Sequence, residues 1–97
     1  MSKILDYKDV YEYHGYKDQC KQLMEESYEL VEAINDWEKD GTLRNWNHIA
    51  EETADVLFLI NQIMDNYLIE TENVDAWLNY KRKRESQRIS EGYYDKK

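Results

Sequence analysis

Leu23-Met24-Glu25-Glu26-Ser27-Tyr28-Glu29-Leu30 and, 26 residues further on, Ile49-Ala50-Glu51-Glu52-Thr53-Ala54-Asp55-Val56 set two acidic clusters into two apolar stretches in matching register. A helix advances about 100° per residue. On that wheel Leu23, Leu30 and Ile34 define the apolar face of the first segment, with Glu26 between Ala33 and Trp37 on its flank. Glu29 lies about 60° further round, at the border, and Glu25 and Glu32 take the polar side. In the second segment Ile49, Val56, Ile60 and Tyr67 define the face, Glu52 falls between Leu59 and Ile63, and Asp55 holds the border. Each helix is therefore predicted to turn one acid inward and hold a second at the edge, one turn away.

Packed antiparallel, the two helices bring four carboxylates together. Two such charges about 4 Å apart repel by roughly 4 kcal/mol at an effective dielectric near 20. A positive partner must offset them. Carboxylate oxygens with no His or Cys at ligand spacing suit a hard cation, Mg²⁺ or Mn²⁺ before Zn²⁺ or iron. Either cluster alone would read as a solvated surface run in a chain with 21 acids and 13 bases; the repeat in register is what argues for a site.

Composition points the same way. With no proline, three glycines, 35% charged residues and no run of β-branched residues, the 97-residue chain reads as one all-α domain. The expected architecture is an antiparallel helical bundle with three main helices per chain, completed by oligomerisation. A net charge of −8 disfavours a nucleic-acid polymer or an anionic membrane as partner. Cys20 stands alone, which excludes an internal disulfide and reads as a small buried apolar residue in a reducing compartment. Met1-Ser2-Lys3-Ile4-Leu5-Asp6 turns polar at once and no apolar run reaches membrane length, so a cytoplasmic location is expected.

Along the chain, residues 4–14 form a helical lead-in and Gly15 a bend. The first long helix is predicted over 16–39, carrying Tyr16, Cys20, Leu23, Ser27, Leu30, Ile34 and Trp37 inward. Asp40-Gly41 stops it, with Gly41 in the left-handed position. Thr42 to Trp46 is read as a connector, with Asn45 or Asn47 capping a second helix that runs to about Leu68. From Ala54 to Met64 that helix is apolar over most of its circumference, so it is expected to be central, covered by its own chain on one face and by a second subunit on another. A third helix begins near Asn73, with Asp75 in its first turn, and runs to about Ile89. Its basic second half, Lys81-Arg82-Lys83-Arg84 and Arg88, is either a solvated helix end favoured by the dipole or, through Lys81, Arg84 and Arg88, a holder of polyphosphate. Ser90 to Lys97 is expected to be a polar, disordered tail following a domain of residues 1–89. His14 and His48 read as ordinary residues, although His48 stands four before Glu52, at a spacing that allows a hydrogen bond near it.

Glu25-Glu26-x-x-Glu29, 22 residues, then Glu52-x-x-Asp55 resembles the signature of the MazG-like all-α nucleoside triphosphate pyrophosphohydrolases. Gln19-x-x-x-Leu23-x-Glu25-Glu26-x-x-Glu29-Leu30 resembles the family's first helix, Ala54-Asp55-Val56-Leu57 its second, and Lys81-x-x-Arg84-x-x-x-Arg88-Ile89 the end of its third. The resemblance implies a Mg²⁺-dependent enzyme, with Mn²⁺ able to substitute, that cleaves a nucleoside triphosphate between the α- and β-phosphates to the monophosphate and pyrophosphate. It implies Glu26, Glu29, Glu52 and Asp55 as metal ligands, Glu25 as a further ligand or an orienter of the attacking water, Glu25 and Glu29 as the catalytic residues, and Lys81, Arg84 and Arg88 as phosphate contacts. It also implies a homo-oligomer, dimer or tetramer. Where many members carry an Asn near the end of the third helix, Arg84, Glu85 and Ser86 stand here. Trp37, Trp46 and Tyr28 are candidates for a base slot, with core packing the simpler role for each. An all-α dUTPase and a non-catalytic, metal-binding helical interaction module are the competing assignments.

Overall fold

A computed structural model describes residues 3–95 as four helices: α1 (Tyr7–His14), α2 (Tyr16–Lys39), α3 (Leu43–Asn66) and α4 (Thr71–Ser90). Among the described residues there is no strand, and no helix is long and apolar enough to cross a membrane. The outermost residues of the predicted tail, 96–97, lie outside the described part, as do residues 1–2; residues 91–94 form a hydrogen-bonded turn.

The 24-residue helices α2 and α3 are each about 36 Å long and joined by three residues, so they must run antiparallel. The joint is built differently from the sequence expectation. Gly41 is not left-handed; Asp40 closes α2 in an extended conformation and the bare face of Gly41 lies against the Trp37 ring, 3.4 Å from where a Cβ would stand. The cap of α3 is Thr42, whose hydroxyl oxygen accepts the Asn45 N–H at 3.2 Å, so α3 starts at Leu43 and there is no connector through Trp46. Asn45 works in the other direction. Its side-chain amide donates to the Asp40 and Asp36 carbonyls, at 2.8 and 3.4 Å, as a second donor to oxygens that already accept the Thr42 and Asp40 N–H groups, and so ties the start of α3 to the end of α2.

Gly15, at φ +88°, makes the turn from α1 to α2 in a region that L side chains avoid. The first turn of α1 has no cap of its own; Asp65 of α3 accepts the Lys8 N–H at 2.9 Å. Tyr7 and Tyr11 then lean on Phe58 and Tyr67, and the Tyr11 and Tyr67 hydroxyls meet at 3.0 Å. That hydrogen bond and burial push the Tyr11 phenol up to about 12. At the far end of α3, Leu68 ends the helix in the left-handed region at φ 55°, and Ile69 N–H reaches back to the Met64 carbonyl. A Glu70–Asn73 capping box starts α4 at Thr71, two residues before the expected position, with Glu72 as the acid of its first turn.

The buried interior is small: Tyr11, Ala33 and Leu59, with Gln19, Glu52 and Gln62 among them. On α2 the face turned to α3 follows Gln19, Glu26 and Ala33, about 60° round the helix from the centre of the apolar stripe. Tyr16, Cys20, Ser27 and Ile34, expected inward, are exposed for that reason. Gln19 donates to Gln62 at 2.7 Å inside the α2–α3 seam, and this pair marks the register. Two turns along α2 from Gln19 stands Glu26, and two turns back on α3 from Gln62 stands Asp55.

α4 packs against none of the other three helices among the described residues. Trp77, Leu78, Tyr80 and Ile89 are all at least half exposed, as is Leu57 on α3. The radius of gyration, 17.3 Å, exceeds the roughly 12.5 Å of a compact chain of this length. The accessible surface, 8461 Å², exceeds the roughly 5,900 Å² typical of a folded monomer of 11.8 kDa.

Candidate metal centre

The antiparallel register delivers Glu26 from α2 and Glu52 and Asp55 from α3 to one place. Each offers a carboxylate oxygen, and these oxygens lie within 4.8 Å of one another. Glu52 is buried, Glu26 half-buried and Asp55 exposed, so the cluster opens to solvent on the Asp55 side. Gln22 donates to Glu26 Oε1 at 2.7 Å, and His48 Nε2 lies 3.2 Å from Glu52 Oε1. The remaining oxygens, Glu26 Oε2 and Glu52 Oε2, are buried and have no hydrogen-bond partner. Burial pushes the Glu26 carboxyl above its usual range; the Gln22 hydrogen bond opposes this, and the Glu29 and Asp55 charges add to it.

Two unpartnered buried carboxylate oxygens beside a third carboxylate are costly as they stand. They fit a hard divalent ion, which takes oxygen ligands and retains water on its open side.

Glu29 is exposed, close enough to Glu26 to raise its pKa but outside the tight group of three. Glu25 points elsewhere. It pairs with Lys21 at 4.0 Å and shares a shallow depression with Met24, Tyr28, Glu29 and Glu32. Lys81, Arg84 and Arg88 lie on α4, away from the carboxylates of their own chain. The Arg84 guanidinium stands over the Tyr80 ring, 5.5 Å from its centroid, with a buried Nε that has no partner. Arg88 stands 5.0 Å over Tyr93, and the neighbouring Tyr94 raises its pKa. Tyr94 in turn donates to Glu85 at 2.8 Å.

Comparison with protein families matches residues 15–85, most of the chain, to the MazG nucleotide pyrophosphohydrolase domain. The chain belongs to this family. The match spans α2, α3 and α4 as far as Glu85, so it contains all the clustered carboxylates and leaves α1 and Arg88 outside. No curated protein and no solved structure matched the chain. MazG membership makes the chain one of a family of nucleotide pyrophosphohydrolases, and the acids present can hold the metal that such an enzyme uses.

The His48–Glu52 contact follows the spacing seen in the sequence; two site features escaped that reading. Gln22, which donates to Glu26 Oε1, stands at i−4 from the acid it touches, the same spacing as His48 to Glu52 and equally visible in the sequence. The buried Gln19–Gln62 pair had no comparable signal, because glutamine is usually exposed.

Proposed function

We propose that the chain is a Mg²⁺-dependent pyrophosphohydrolase of nucleoside triphosphates, ribo or deoxy, releasing the monophosphate and pyrophosphate. The observation that carries this reading is the gathering of Glu26, Glu52 and Asp55 oxygens within 4.8 Å of one another, with a buried, unpartnered oxygen on each of Glu26 and Glu52. Glu26, Glu52 and Asp55, with Glu29 at the rim, would hold Mg²⁺ or Mn²⁺. The ion would neutralise phosphate charge and favour in-line attack. Glu29, exposed next to Glu26, would orient the attacking water and accept its proton, and Glu25, which lines the same depression as Glu29, would assist. His48 and Gln22 hold one oxygen of each inner carboxylate so that the other stays free.

Lys81, Arg84 and Arg88 would bind the phosphates across a subunit boundary. Within one chain α4 stands clear of the carboxylates. The surface in excess of a compact monomer, about 2,500 Å², is of the size that an obligate homo-oligomer buries. The apolar residues left bare on α2, α3 and α4 supply the chemistry for such an interface. The catalytic unit is residues 1–89, working in the cytoplasm on the free nucleotide pool.

Pyrophosphate release from a panel of ribo- and deoxynucleoside triphosphates, including dUTP, with Mg²⁺, with Mn²⁺ and with chelator, tests the reading. Metal-dependent monophosphate and pyrophosphate from several substrates is expected. Turnover of dUTP alone would assign an all-α dUTPase. Silence across the panel from a folded protein would refute catalysis.

A further inference from the structure

His48, Glu51 and Glu52 lie at i, i+3 and i+4 on α3, within a single sector of about 100°. Each presents a ligand atom, and the three atoms fall within 4.8 Å of one another. His48 Nε2 and Glu52 Oε1 are 3.2 Å apart. Two neighbouring ligands of an octahedral ion, each about 2.1 Å from it, stand roughly 3.0 Å apart, so this pair is spaced as one edge of a coordination shell. Glu52 itself is only 7% exposed and has a buried oxygen with no partner. It is also the residue shared with the group formed by Glu26 and Asp55.

We propose that His48, Glu51 and Glu52 form a second cation position, bridged through Glu52 to the Glu26–Glu52–Asp55 position and selective for a transition ion over Mg²⁺. The ligand chemistry sets the selectivity. Mg²⁺ takes oxygen and dehydrates reluctantly, whereas Mn²⁺, Co²⁺ and Zn²⁺ accept an imidazole nitrogen. A neutral imidazole with two carboxylates carries a formal charge of −2, matched by one divalent ion. The side chain of His48 is 45% exposed, and with Glu51 it opens on a groove of about 660 Å³ where water completes the shell. Asp36 and Asp40 line the same groove and make its mouth attractive to cations, against the single positive charge of Arg44. The position shares Glu52 with the proposed catalytic ion but requires no nucleotide.

Co²⁺ titration of the full chain, followed by equilibrium dialysis and by the ion's visible absorption, tests this. The variants are His48→Ala, Glu51→Gln and, as a control for the other imidazole beside Glu26 and Asp55, His14→Ala. Wild type and His14→Ala are expected to bind one Co²⁺ more per chain than His48→Ala. Glu51→Gln should weaken that ion by at least about tenfold, in the range that loss of a supporting group costs a metal site. Mg²⁺ stoichiometry should be unchanged in Glu51→Gln and His14→Ala, His48→Ala should still bind Mg²⁺ after losing the extra Co²⁺, and far-UV circular dichroism should confirm the helices in each. Wild-type Co²⁺ stoichiometry and affinity in both His48→Ala and Glu51→Gln would overturn the proposal. Joint loss of Mg²⁺ and Co²⁺ in His48→Ala would also overturn it, since the imidazole would then only orient Glu52. The hydrolase reading is tested separately: Mg²⁺-dependent pyrophosphate release without the extra Co²⁺ retains the enzyme and removes this site. The extra Co²⁺ without turnover does the reverse.

Discussion

Replacing Glu52 by Gln should stabilise the metal-free protein and abolish its response to metal. Oxygens of Glu26, Glu52 and Asp55 lie within 4.8 Å of one another. At that separation each pair of full charges repels by about 3.5 kcal/mol at an effective dielectric of 20. Asp55 is exposed and screened, and Glu26 is partly relieved by its raised pKa, so the recoverable part is about 1–3 kcal/mol. The amide loses none of the existing contact, because Gln Oε1 still accepts from His48, and its Nε2–H₂ puts a donor among the clustered carboxylates in place of a charge. For a domain of this size each kcal/mol moves Tm by roughly 4–8 °C. Thermal melts at one fixed protein concentration, in chelator and in Mg²⁺, read this directly. In chelator Glu52→Gln should melt above wild type. With Mg²⁺ wild type should rise and the variant should not. A variant that melts below wild type in chelator while gaining as much from Mg²⁺ would show that the acids neither strain the fold nor hold the ion.

Asp55→Asn, at the exposed rim of the cluster, should lose turnover by orders of magnitude with its helical spectrum unchanged; retained Mg²⁺-dependent pyrophosphate release would remove it from the site. Because the folded-state pKa of Glu26 is raised, the folded protein binds more protons than the unfolded chain above the ordinary value of 4.5. Its contribution should therefore make the metal-free protein less stable as pH rises from 4.5 through the raised value, an effect seen as a difference between wild-type and Glu26→Gln urea midpoints and erased by Mg²⁺. Leu68 is 83% exposed at φ 55°, so Leu68→Gly should relieve left-handed strain at little loss of burial and add about 0.5–1 kcal/mol, measured by chemical denaturation. Gln62→Ala opens a cavity at a fully buried position and strands the Gln19 amide, and should cost about 2–4 kcal/mol in the same assay.

The parts of the fold legible in the sequence are those that depend on periodicity over many residues. The length of α2 and the inward placement of Glu26 and Glu52 follow from a 3.6-residue repeat sustained for several turns. The joint at residues 40–42 was misread because the Asp40-Gly41 pair is a common helix stop, whereas here the Trp37 ring, a tertiary feature, occupies the space beside Gly41. The inward face of α2 was misplaced for a related reason. Its apolar stripe is broad, and α3 covers the edge that carries Gln19, Glu26 and Ala33, leaving Cys20 and Ile34 in solvent. Ala33, 0% exposed, decides this, since the small side chain lets the two backbones approach while larger residues stay outside.

The same rotation of α2 links the fold to the proposed chemistry. Had α2 met α3 along Leu23, Leu30 and Ile34, the chain would have a conventional apolar seam and Glu26 would have stayed on its flank. Turning α2 by about 60° puts Glu26 opposite Asp55 and leaves an apolar strip without a cover. α4 has the opposite imbalance: five of the chain's 13 basic residues fall within residues 81–88, beside bare aromatic and aliphatic side chains, with no acidic helix against it. On the oligomer reading these two deficits match, because α4 of one subunit can cover the bare strip of another and bring Lys81 and Arg84 towards its carboxylates. Assembly and phosphate binding would then be coupled. Dilution to the monomer should weaken nucleotide binding more than Mg²⁺ binding, because the three clustered carboxylates belong to a single chain. Analytical ultracentrifugation paired with nucleotide and Mg²⁺ titrations over the same concentration range measures both. Equal loss of the two affinities on dissociation, or full nucleotide affinity in the monomer, would rule out a phosphate contact made across the interface.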